Sequence, residues 1–154
     1  MVNLQINKAY RDSVSADLLV QAASLTLTQT ATTPEVELTI VLDSNDHIQS
    51  LNNQFRQIDA PTDVLSFPSG DGIEDPDSSL IYLGDIVISV PTAQNQAARA
   101  GHSLIAELQL LTIHGVLHLI GYDHVDEDQK TAMWQIQADI LAAIGAEINS
   151  LPEN

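Results

Sequence analysis

The sequence predicts an α+β fold: a single domain built on a mixed four-stranded sheet with about five helices. Three observations carry this expectation. The chain has 154 residues, the length of one domain that buries roughly 70% of the surface its extended form exposes. Apolar residues make up 44% and charged residues 17%, which suits a packed core rather than disorder. Segments of strand period and helix period follow one another without strict βα alternation, and that points to a mixed sheet.

In chain order, Val2 to Asn7 alternates apolar and polar residues, the period of a half-buried strand. Ser15 to Thr30 then carries Leu18, Leu19, Ala22, Ala23 and Leu25 at helical spacing. Val36 to Leu42 is rich in β-branched residues and reads as a second strand. Ser44 can cap a helix that runs through Ile48, Leu51 and Phe55 to about Arg56. Beyond a turn from Asp59 to Asp63, Val64 to Phe67 reads as a strand closed by Pro68, and Leu83 to Val90 as a buried one. The acidic, turn-rich stretch between them, Ser69 to Ser79, reads as an exposed loop. Ser89 and Pro91 open a helix that Gly101 closes, since proline suits the first turn and glycine the left-handed cap. Ser103 starts the next helix. From Leu104 to Ile120 its apolar residues lie on nearly all sides, so it belongs in the core. A last helix, from about Asp126 to Ala143, opens with acids that suit its positive end.

Composition excludes several classes of function. Five Lys and Arg against 21 Asp and Glu give a net charge of -16, which rules out a basic nucleic-acid wrapper. Cysteine is absent, so there is neither a disulfide framework nor a thiolate zinc site, and any metal must be held by His, Asp or Glu. The N-terminal residues lack a basic head followed by an apolar run, and no stretch approaches the roughly 20 apolar residues of a membrane helix. A soluble, cytoplasmic protein with no membrane partner is expected.

Three of the five histidines, His114, His118 and His124, fall within HGVLHLIGYDH, on or just after the helix expected to be most buried. Four residues of α-helix turn about 400° and rise about 6 Å, so His114 and His118 project from one face and can share an ion. His124 cannot join them on a continuing helix. Gly121 removes the obstacle, because glycine tolerates the left-handed conformation that ends a helix and lets His124 swing back. The spacing HxxxHxxGxxH thus offers three imidazoles to a tetrahedral ion and leaves its fourth corner for water. Such ligands favour zinc over magnesium or calcium, with copper, nickel and cobalt also chemically able to bind. His47 and His102 stand alone and are read as solvated.

Metzincin peptidases share this spacing, but there the residue after the first histidine is a glutamate that serves as general base. Here it is Gly115, which makes peptide hydrolysis a poor reading, since such a base is worth about 100- to 10,000-fold. Asp123 reads as a turn residue after Gly121 that could also orient a ligand histidine or order water.

At HGVLHLIGYDH the sequence closely resembles the YbeY family of bacterial metal-dependent endoribonucleases. Two further blocks are similar to the family in the same order, NNQFRQIDAPTDVLSFP from Asn52 to Pro68 and LGDIVIS from Leu83 to Ser89. The resemblance implies a zincin-like α+β fold and one zinc ion per chain on His114, His118 and His124. It implies cleavage of single-stranded RNA, maturation of the 3′ end of small-subunit ribosomal RNA, and ribosome quality control. Ribosomal RNA and the ribosome or its proteins are therefore the expected partners, and DNA is not. The family's functionally important arginine falls on Arg56, and a planar guanidinium can bind the nonbridging oxygens of a phosphodiester as they gather charge. Thr62, Asp63 and Asp85 are read as structural. Two other readings stay open: a noncatalytic ribosome-associated factor with a structural zinc, and a metal-dependent hydrolase of another substrate. The charge also sets a condition, because RNA approaching so acidic a body is repelled unless cations cluster on one face or a partner delivers it.

Overall fold

A computed structural model describes residues 1–32, 35–69 and 81–146. Apart from Ser69, the loop expected between Ser69 and Ser79 lies outside the described residues. Strand β1 (Val2–Ile6) leads through a short 3₁₀ helix (Lys8–Ser13) into α1 (Ala16–Gln29). Strand β2 (Val36–Asp43), helix α2 (Asn45–Arg56), strands β3 (Val64–Pro68) and β4 (Ile81–Ser89), and helices α3 (Val90–Ala100), α4 (Leu104–Leu119) and α5 (Glu127–Ala143) follow. The sheet is mixed, in the order β1-β2-β4-β3, with β3 antiparallel to β4 and the other pairs parallel. The fold class and the strand and α-helix set match the sequence reading; the 3₁₀ helix, which has no buried residue, left no apolar period to read.

Caps expected from the sequence are made by side chains. Ser44, Ser89, Ser103 and Asp126 accept from His47, Thr92, Ala106 and Gln129 backbone N–H groups. Pro68 ends β3 while remaining in it, which an edge strand permits because no further strand needs its missing donor. Strand β4 begins at Ile81, two residues before the apolar run, and Gly84 at φ +140° lets it pass the Phe67 carbonyl, which a Cβ would strike.

The strands alternate between two cores. Leu38, Ile40, Leu42, Ile86 and Ile88 face α1, α3 and α4, whereas Val87 and Leu65 face Ile48 of α2 on the other side. Helix α4 is buried almost all round. Leu108, Leu111 and Val116 pack toward the sheet, while Leu110, Ile113 and Leu117 meet Ala22 of α1 and Met133, Ile140 and Leu141 of α5. Its C-terminal end is thereby held rigidly between the sheet and α5.

His102 is not solvated. Gly101 at φ +80° folds it back over the first turn of α4, where its side chain is 2% exposed and its Nε2 lies 2.6 Å from Glu107 Oε1. Burial raises the Glu107 carboxyl above the usual range, against the opposing pull of His102. The pairing leaves no sign in the sequence, because only the Gly101 turn brings His102 and Glu107 face to face. His47 is at the surface as expected, half exposed and 4.0 Å from Asp43.

Candidate metal centre and cleft

The end of α4 is shaped by its exit. Gly121 takes φ +105°, Tyr122 donates its N–H to Leu117 O at 2.9 Å, and Gly121 donates to His118 O at 3.1 Å. These bonds satisfy the last carbonyls and turn the chain back on itself. Asp123 Oδ1 accepts the His124 N–H at 2.7 Å, so Asp123 fixes the return turn.

The result brings together the three histidines that the spacing singled out. One ring nitrogen from each lies within 4.8 Å of the others, and Nε2 of His114 stands 3.0 Å from Nε2 of His118. Ligand bonds of 2.0 to 2.1 Å at a tetrahedral angle need nitrogens roughly 3.3 Å apart, so small ring rotations suffice to seat an ion. Protonation also suits binding. Burial first, and then the neighbouring His118, hold the His114 imidazole down to about 4 from its ordinary 6.5. Burial, followed by His124, lowers His118 as well. Both rings are therefore neutral at pH 7, the state a metal requires.

Sequence reasoning missed the partners behind these rings. Gln137 of α5 is wholly buried, and its Oε1 lies 2.6 Å from His114 Nδ1. A carbonyl oxygen only accepts, so Nδ1 carries the proton and Nε2 presents its lone pair toward the other two histidines. Trp134 stands edge-on to His114 and His124, with ring centroids 5.8 and 5.7 Å away. The available signal was a lone amide at Gln137 within the apolar stripe Met133, Ile140, Leu141, since a buried polar group demands a partner.

The histidines form one wall of an open cleft of about 520 Å³. Leu111 continues their face of α4, and β3 with the turn before it supplies Thr62, Asp63, Val64, Leu65, Ser66 and Pro68. Arg56 lines the same cleft from the last turn of α2. The turn between Arg56 and β3 is held by Asn52 Nδ2, which donates to Ala60 O at 2.9 Å, and by Asp63 Oδ1, which accepts from Val64 N–H at 2.7 Å. Thr62 and Asp63 thus both shape the turn and face the cleft, while Asp85 pairs with the Tyr82 hydroxyl and is not among the lining residues.

Gly115 has a steric role. A Cβ there would come within 2.7 Å of Ile86 Cγ2, so α4 rests against β4 at this point and the position points into packing instead of the cleft. Of the remaining cations, Lys130 lies 5.8 Å over the Trp134 ring, close to the histidines, whereas Arg11 and Arg99 each donate to a backbone carbonyl at 3.4 Å.

An α+β sheet bears a buried helix with three converging imidazoles at its end, a cluster able to hold a metal ion, beside a cleft that carries a guanidinium, the arrangement of a candidate metal-dependent hydrolase. Comparison with known proteins narrows the class. The family described as Endoribonuclease YbeY matches residues 2–145. A protein named Endoribonuclease YbeY from Carboxydothermus hydrogenoformans is 43% identical over 147 residues, covering 96% of this chain and 97% of its own. One of the same name from Dehalococcoides mccartyi is 40% identical and covers 86% of both chains. The solution structure of TM1509 from Thermotoga maritima superposes with a TM-score of 0.60 at 26% identity, covering 94% of this chain and 89% of that one. The chain belongs to the YbeY endoribonuclease family.

Proposed function

We propose that this chain is a zinc-dependent endoribonuclease that cleaves single-stranded RNA, with His114, His118 and His124 holding the ion and Arg56 binding the scissile phosphate. The carrying observation is the convergence of three imidazoles and one guanidinium on a single open cleft. An all-nitrogen set with an open side fits zinc and its role as a Lewis acid toward a phosphoryl oxygen. His114 is oriented by Gln137, so its proton stays on Nδ1 throughout. Arg56 can donate its forked N–H groups to two phosphate oxygens and neutralise charge that builds on them as the P–O bond breaks. Gly115 supplies no carboxylate, which disfavours peptide substrates. Among the described residues the group of candidate ligands has three members, whereas a closed structural site uses four, and this favours a catalytic over a purely structural ion.

Family membership supports a biological setting in the maturation of ribosomal RNA, at the 3′ end of the small-subunit species, and in ribosome quality control. That setting is cytoplasmic and involves the ribosome or ribosomal proteins. No helix among the described residues is long and apolar enough to cross a membrane. With a charge of -16, delivery of the RNA by a ribosomal partner accounts for how the substrate reaches the cleft.

The test is cleavage of a single-stranded RNA of defined sequence by metal-quantified protein. His114→Ala is expected to lose both zinc and cleavage. Arg56→Ala is expected to keep zinc and lose about 100- to 1,000-fold in rate. Full activity in either variant would overturn the role given to that residue.

A further inference from the structure

The residues beside the cleft carry a pattern that the metal and the guanidinium do not explain. Six large apolar side chains are exposed among the described residues; two of them adjoin proposed site residues in sequence and a third lies two positions away. Phe55, 55% exposed, and Ile58, 44% exposed, flank Arg56, while Val125, 79% exposed, follows His124. The chain has only two phenylalanines, and both meet here: Phe55 and Phe67 stand edge to face with ring centroids 5.1 Å apart. Phe67 lies on β3 between Ser66 and Pro68, which line the cleft, and packs on the opposite face of the strand with Ile48 and Leu65, beside α2. Phe55 sits at the end of the apolar face of α2, after Ile48 and Leu51, where that face overhangs the edge strand.

An edge-to-face pair leaves at least one broad face of the exposed ring uncovered by its partner. A nucleobase needs such a face, and single-stranded RNA is held elsewhere by stacking of this kind. The electrostatics point the same way. With five cations in the chain, phosphate neutralisation alone gives weak binding, so affinity must come from contacts that charge does not supply. Because Phe55 and Arg56 are consecutive, a base stacked on the ring leaves its own or the neighbouring phosphate within reach of the guanidinium.

We propose that Phe55, backed by Phe67, is a stacking platform for one unpaired nucleobase of the RNA, next to the phosphate that Arg56 engages. This rests on the ribonuclease reading of the cleft. The platform would place a nucleotide by its π-face, with tolerance for base identity and a demand that the base be unpaired.

The experiment compares steady-state cleavage of one fluorescein-labelled single-stranded RNA by the zinc-loaded wild type, Phe55→Ala, Phe55→Leu, Phe55→Trp and, as a surface control, Leu18→Ala. A second series uses the same RNA with a single abasic ribose moved one position at a time past the cleavage site. Phe55→Ala and Phe55→Leu are expected to raise KM about 5- to 100-fold, far more than they lower kcat, with Phe55→Trp retaining or lowering KM and Leu18→Ala unchanged. One abasic position should raise KM by a similar factor for the wild type and add little for Phe55→Ala. A wild type that cleaves while Phe55→Ala keeps its KM overturns the platform alone. So does a Phe55→Leu variant as good as the wild type, because that result assigns the contact to apolar bulk. A wild type that leaves the RNA intact overturns the ribonuclease reading and the platform with it.

Discussion

Replacing Gln137 by Leu removes the acceptor that keeps the His114 proton on Nδ1, and the structure indicates how metal affinity and folding stability should part company. The bond is short at 2.6 Å and shielded, with Gln137 fully buried and His114 8% exposed, so water cannot replace it. Loss of such an outer partner of a metal-binding histidine typically weakens metal affinity about 10- to 100-fold. The burial argues for the upper half of that range, or about 2 to 3 kcal/mol at 1.4 kcal/mol per tenfold. Stability responds differently. Leaving the His114 N–H unpaired costs about 1–3 kcal/mol. The same substitution removes the Gln137 Nε2, which has no partner among the described residues, and puts a methyl-bearing side chain beside Met133 and Ile140. These gains offset the loss to within about 1 kcal/mol, a midpoint change of at most roughly 4 °C in the metal-free chain. Zinc affinity measured against a competing chromophoric chelator, paired with thermal unfolding of the metal-free protein, separates the two. Unchanged zinc affinity in Gln137→Leu would refute the orienting role. Gln137→Glu keeps the acceptor and adds charge, so it should bind zinc at least as tightly as the wild type.

Three other outcomes are expected. Folding favours the neutral form of His114, held at about 4 by burial and then by His118, so the stability this residue contributes is whole above its ordinary pKa of 6.5. That contribution is lost as pH falls from 6.5 through about 4, roughly 3 kcal/mol in all, and denaturant titrations of metal-free wild type and His114→Ala should converge by that amount over the window. Gly115→Ala should destabilise by about 1–3 kcal/mol through the clash with Ile86, read as a lower thermal midpoint, and pairing it with Ile86→Ala should recover part of the loss. Binding of free single-stranded RNA should be weak with a shallow logarithmic salt slope of about -1.4, the value for two phosphates neutralised by Arg56 in the cleft and Lys130 beside Trp134; a slope steeper than about -4 would contradict so sparse a cationic surface.

How far the sequence could be read follows from the range of the interactions. Strand β1, the helix starts at Ser44, Ser89 and Ser103, and the buried character of α4 are written in local periods and caps, and they appear where those signals lie. The convergence of His114, His118 and His124 was equally local, because a helical turn and one glycine generate it within eleven residues. What lay out of view was non-local. Gln137 reaches His114 across 23 positions, and Ser66 Oγ reaches the Gly115 carbonyl across 49 at 3.4 Å. Neither pairing has a period to betray it. His102 failed for a related reason: its spacing to Glu107 is short, but only the left-handed Gly101 turn makes the two side chains face each other in the interior.

The packing at Gly115 links fold to chemistry. In the peptidases with the same histidine spacing, the position after the first histidine carries the glutamate that takes a proton. In this chain that position abuts Ile86 of the central strand β4, and any side chain there requires Ile86 or α4 itself to shift. A shift of α4 to make that room would also move His114 relative to Gln137 on α5, since both contacts are made by the same helix. The close approach that fixes the imidazoles therefore excludes a carboxylate at that place. Catalytic help must come from across the cleft, where the chain offers a guanidinium at Arg56 and the carboxylate of Asp63 on the turn before β3. A guanidinium supplies charge and donors but no proton acceptor, so it does not replace the missing general base, whereas its fork matches the two nonbridging oxygens of a phosphodiester. The preference for phosphate over peptide thus follows from how tightly one helix is pressed against one strand.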